Sequence, residues 1–123
     1  MANTKFIAAS AFDGATSTTT IAAGSVNNTL VKAGPGNVYS INVSNINAAV
    51  RYCKLYDKAT APVAGTDVPV ATFLIPISGS VEQSFPVGMK FDLGIGFALT
   101  TGLAAADTGA VTVSEHTVNI TYA

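Results

Sequence analysis

Apolar and polar residues alternate along residues 89–99. Met89, Phe91, Leu93, Ile95, Phe97 and Leu99 hold the odd positions, and Lys90, Asp92, Gly94, Gly96 and Ala98 hold the even ones. Successive side chains of a β-strand point to opposite faces, so this spacing predicts one strand with Phe91, Leu93 and Ile95 on a buried face. The same period of two recurs along the chain. Residues 37–45 place Tyr39, Ile41 and Val43 on one side and Ser40, Asn42 and Ser44 on the other. In residues 50–57, Arg51, Cys53 and Leu55 alternate with Tyr52, Lys54 and Tyr56. Assigning Cys53 and Leu55 to the core leaves Tyr52, Lys54 and Tyr56 on an open face.

Residues 26–33, 68–77 and 80–86 add three further strands. Pro69 and Pro76 lack an amide donor and belong at strand ends or a sheet edge. Pro35 followed by Gly36 predicts a type II turn, with Gly36 supplying the positive φ. The last apolar segment changes phase: Val111 and Val113 are odd, whereas Val118, Ile120 and Tyr122 are even. One uninterrupted strand cannot bury both sets, so a β-bulge or bend is expected between Ser114 and Thr117. About eight short strands separated by Gly and Pro turns, with no convincing helix, predict an all-β fold. The expected form is a single-domain antiparallel β-sandwich, jelly-roll-like.

That domain spans residues 26–123. Residues 1–25 form either short edge strands, at 5–9 and 19–23, or an N-terminal arm lying on a neighbouring subunit. In the second case Phe6 and Phe12 are the anchors. With Tyr52, Lys54 and Tyr56 they make up the candidate partner interface, because aromatic residues on an open face suit binding.

Composition narrows the function. The chain has 123 residues, enough for one core. It is 49% hydrophobic and only 11% charged, where about a quarter is usual, which suits a protein packed against neighbours. Net charge is −1 with no block of Lys or Arg, which argues against nucleic acid as a partner. No apolar run approaches the roughly 18 residues of a membrane helix, so no membrane role is expected. Cys53 is the one cysteine and can form no intrachain disulfide, which fits folding in a reducing cytoplasm.

Candidate chemistry is sparse. Asp107-Thr108-Gly109 matches the triplet of aspartic proteases, but the triplet lies early in those subunits and here only 14 residues follow it. A turn explains it better. Ser114-Glu115-His116 places three catalytic residue types in a row, yet strand neighbours point to opposite faces and do not converge as a triad. His116 is the single histidine and reads as half-exposed on its strand. Gly94-Ile95-Gly96 lies within a strand with no helix after it; it allows bending or close approach of another backbone rather than holding phosphate. Asp57, Asp67 and Asp92 lack the spacing of a calcium loop. The expectation is therefore no enzyme, no metal and no cofactor.

Further direction comes from a resemblance. From Leu30 the chain reads L-V-K-A-G-P-G-N-V-Y-S-I-N-V-S-N, and from Arg51 R-Y-C-K-L-Y-D-K-A-T-A-P-V-A-G-T-D-V-P-V. It continues with F-L-I-P-I-S-G-S-V and F-P-V-G-M-K-F. This resembles a group of small proteins encoded among the structural genes of tailed bacteriophages and prophages. The resemblance covers residues 30–103. It implies a virion component made in the host bacterial cytoplasm, a decoration or cement protein on the capsid surface. Its partners would be the major capsid protein or other virion proteins, with self-association as a dimer or trimer. The alternative is a tail, fibre or head-surface module that recognises host carbohydrate through Tyr52 and Tyr56.

Overall fold

In the computed structural model, which describes residues 15–123, the alternating segments resolve into eight strands. They are β1 (Thr16–Ile21), β2 (Thr29–Ala33), β3 (Gly36–Asn45), β4 (Arg51–Asp57), β5 (Ala71–Ile75), β6 (Gly79–Phe91), β7 (Gly94–Thr100) and β8 (His116–Tyr122). Two four-stranded sheets result, in the orders β1-β8-β3-β6 and β2-β7-β4-β5, with antiparallel pairing throughout. Most connections cross from one sheet to the other, so sequence neighbours face each other across the core. This is the jelly-roll arrangement of an all-β sandwich.

The core lies between the sheets. Val38, Ile41, Val43, Val118 and Ile120 project from the first sheet, and Cys53, Leu55, Ile75, Ile95, Phe97 and Leu99 from the second, all buried. On the outer face of the first sheet the polar set of the alternation runs through Ser40, Asn42 and Ser44. There Asn119 accepts a hydrogen bond from the Thr19 hydroxyl at 2.8 Å.

The structure departs from the expected pattern at several points. Residues 89–99 are two strands, not one. The chain turns at Asp92 and Leu93, leaving β6 in one sheet and entering β7 in the other. Phe91 and Ile95 are buried as expected, but Leu93 is 57% exposed. The cause is the Asp57 carboxylate at the end of β4, which accepts backbone N–H groups of Leu93 at 2.8 Å, Asp92 at 3.1 Å and Gly94 at 3.3 Å. These bonds stabilise a corner that hydrophobic periodicity does not signal.

Positive φ falls on Gly34 (110°) rather than Gly36, which already belongs to β3. The pairing of β3 shifts between Val38 and Ser40, so Val38 takes the core position expected of Tyr39. Pro69 and Pro76 lie just outside β5, where missing donors cost nothing. The phase change before β8 is a turn with Ser114 at φ 58°, rather than a bulge inside a strand. Val111 packs into the core ahead of it and Val113 is exposed. Residues 16–21 run along β8 as an edge strand. The possible strand at 5–9, and the anchors Phe6 and Phe12, lie outside the described residues.

Candidate functional site

The outer face of the β2-β7-β4-β5 sheet was expected to present Tyr52, Lys54 and Tyr56. Strand parity does turn all three outward from the core, but two loops cover that face. Residues 58–67 fold back over β7 and β4. The Lys58 ammonium lies 2.7 Å from the Asp67 carboxylate, which also accepts the Val63 N–H at 2.7 Å. The Ala64 N–H donates to the Asn28 side chain at 3.1 Å. Tyr56 then packs with Ala64, Ala98 and Val26 and is buried. Its hydroxyl has no hydrogen-bond partner among the described residues. Burial, with Asp67 and Cys53 nearby, raises its pKa.

Residues 101–109 make the second cover. The Asp107 carboxylate accepts the N–H groups of Gly109 at 2.8 Å and Gly102 at 3.2 Å, closing the loop on itself. Asp107 is thus a loop staple, as its turn reading implied. The Lys54 ammonium donates to the Ala104 carbonyl beneath this loop and is buried. Burial lowers its pKa, opposed by the Asp107 charge. Of the three residues, Tyr52 is half-exposed while Lys54 and Tyr56 are enclosed, so they do not form an open aromatic patch.

Close approach of the 58–67 loop depends on two glycines in β7. A Cβ on Gly94 would meet the carbonyls of Lys58 and Lys32, and one on Gly96 would lie 2.8 Å from Pro62 Cδ. The G-I-G spacing therefore serves backbone approach. With both faces covered, all seven residues of β7 are buried.

A second cluster, at the end of the sandwich where β3, β4 and β8 meet loops, was not foreseen. Glu115 and His116 sit at the start of β8, both buried, against the expectation of a half-exposed histidine. The Glu115 carboxylate lies 2.9 Å from Arg51 Nε and 2.7 Å from His116 Nε2, and accepts a further bond from the Asn47 amide. His116 Nδ1 lies 3.0 Å from the Ser44 carbonyl. Both partners of the ring, a carbonyl and a carboxylate, are acceptors. Adjacent residues meet here because the turn at Ser114 swings Glu115 back over the strand end.

Burial alone would raise the Glu115 pKa, but hydrogen bonds and charge from Arg51 and His116 bring it below its ordinary value of 4.5. Asn45 joins the same end: its side-chain amide donates to the carbonyls of Ala49 at 2.9 Å and Pro76 at 3.2 Å. Each group is partnered within the chain, which marks a brace between sheets and loops. Sequence hints existed: Glu115 beside the lone histidine, and the Asn45-x-Asn47 spacing of side chains that bond local backbone.

Among the described residues no three of His, Cys, Asp and Glu gather closely enough to hold a metal ion. Cys53 is a buried free thiol whose pKa burial pushes up to about 12.

Exposed apolar side chains lie around the rim instead. Leu74 stands out from β5, Val68 (77% exposed), Val70 and Ile77 flank it, Val87 stands out from β6, and Ile21, Ile46 and Val113 crown the braced end.

No family model matches the sequence, and no curated protein matches it. Among solved structures, the fold is similar to the coat protein of Tobacco streak virus. One structure of it, in a C2 crystal form, shows 8% identity over 90% of this chain and 87% of that one, with a TM-score of 0.40. A structure of the coat protein dimer shows 10% identity over 88% and 85%, also with a TM-score of 0.40.

Proposed function

We propose that this chain is a non-enzymatic structural protein of a tailed-bacteriophage virion, a capsid decoration or cement protein that binds the major capsid protein and associates with itself. The observation that carries this reading is the contrast between a braced interior and an apolar rim. The buried polar groups at the strand ends are tied to partners within the chain, while large apolar side chains stand exposed along β5, β6 and the loop end. Exposed apolar surface on a rigid scaffold suits contact with other proteins. Many weak copies of such a contact sum through multivalency on a repeating lattice. The resemblance of residues 30–103 to small phage structural proteins supports the same reading. Carbohydrate recognition through Tyr52 and Tyr56 draws less support, since stacking needs open ring faces and Tyr56 is enclosed.

The test is particle stability. Capsids assembled without this chain should lose resistance to heat or osmotic shock and regain it when purified protein is added back. Identical inactivation curves with and without the chain would remove the cementing role.

A further inference from the structure

We propose that the edge of β5 left unpaired among the described residues is a self-association surface, on which a second copy of this chain adds its own β5 antiparallel across a two-fold axis. The two β2-β7-β4-β5 sheets would then run on as one. This deepens the self-association in the function proposed above, but its test needs no particle, so either reading can fail alone.

An edge strand presents unpaired N–H and C=O groups, and proteins usually blunt such edges with charge, proline or a bulge. The other edges among the described residues show such devices or lack an apolar face. β2 carries Lys32 and a register shift between Leu30 and Lys32. β6 carries Glu82, Pro86 and Lys90, and its register against β3 breaks around Tyr39. β1 is Thr-Ser-Thr-Thr-Thr before Ile21.

Within β5 itself there is no charge, bulge or proline, Pro69 and Pro76 lying just beyond its ends. No charged residue lies between Asp67 and Glu82. Asp67 itself is paired with Lys58. Within this neutral run Val68 is 77%, Val70 56%, Leu74 51% and Ile77 54% exposed. Leu74 pairs with Tyr52 of β4, so apolar surface continues onto the sheet.

The neutrality of this edge admits a second copy as the occupant. A two-fold contact sets each group near its own copy, so a charged edge repels itself and a neutral apolar one does not. Pro69 and Pro76 bracket the strand and confine pairing to residues 71–75, which limits slippage. The Phe73–Phe85 ring contact, with centroids 6.4 Å apart, ties β5 to β6 and holds the edge firm.

The test is sedimentation equilibrium of the full chain over a concentration series, with amide hydrogen exchange at each concentration. The wild type should form a dimer, and amides of residues 71–75 should become protected as the dimer forms. Leu74→Lys places two like charges across the axis and should weaken dimerisation about 100-fold or more while leaving the fold intact. Thr72→Lys, also at an exposed position, should do the same and guards against a folding defect in the first variant. Val87→Lys on β6 should leave the dimer unchanged. A wild type that stays monomeric overturns the proposal. So does a dimer that survives both β5 substitutions in folded protein. Loss of the dimer on removing residues 1–14, with residues 71–75 unprotected, would assign the contact to the N-terminal segment instead.

Discussion

Glu115 is the residue on which one end of the sandwich depends. Its carboxylate takes bonds from Arg51, His116 and Asn47, out of reach of solvent. Removing one member of a buried charge cluster strands the others, at a cost of about 3–5 kcal/mol. Glu115→Ala should lose that much stability in urea denaturation, and a loss under about 1 kcal/mol would show that the cluster is not a brace. The pH dependence has a defined sign. Because the folded carboxyl titrates below its ordinary value of 4.5, its stabilisation is complete above about pH 4.5 and fades as pH falls through the folded value. Glu115→Gln should flatten that part of the acid-unfolding curve. None of this follows from periodicity, which places Glu115 and His116 on opposite faces; the backbone at Ser114 brings them together.

At the scale of the element, the corner between β6 and β7 shows what the pattern of residues conveyed and what it left out. Alternation located the strands and most of the core, because burial of one face leaves its period in the sequence. It marked Phe91, Ile95, Phe97 and Leu99 correctly and misplaced Leu93, since an alternating run continues unbroken through a corner. The missing signal lay at Asp57, in sequence far from the turn it caps. Asp57→Ala should cost about 1–2 kcal/mol, as expected for loss of a charged group bonding backbone N–H groups at a turn. Amides of residues 92–94 should exchange faster in that variant. Leu93→Ser, at an exposed site, should shift stability by no more than about 0.5 kcal/mol. A large loss at Leu93 with none at Asp57 would restore the continuous strand. Likewise, parity turned Tyr52, Lys54 and Tyr56 outward but could not show that loops 58–67 and 101–109 would cover them. Covering depends on contacts such as Lys58–Asp67, and on the small residues at 94, 96 and 98 that let a loop settle on the sheet.

For the whole molecule, two layers are sealed on the inside and one is also roofed by loops, which leaves the polar outer face of the first sheet and the apolar rim as its outer surfaces. On the proposed reading, the apolar residues at β5 and the nearby crown of Ile21, Ile46 and Val113 would supply the contacts with a like chain and with the shell. A lattice-bound protein gains from repetition of such contacts, because each can stay weak while the array holds. Electron cryo-microscopy of assembled particles tests this account most directly. It predicts density for the eight-stranded sandwich at regular positions on the outer capsid surface, with its apolar rim against the shell and neighbouring copies. Particles whose protein content lacks this chain, or that hold it with the rim turned to solvent, would contradict it.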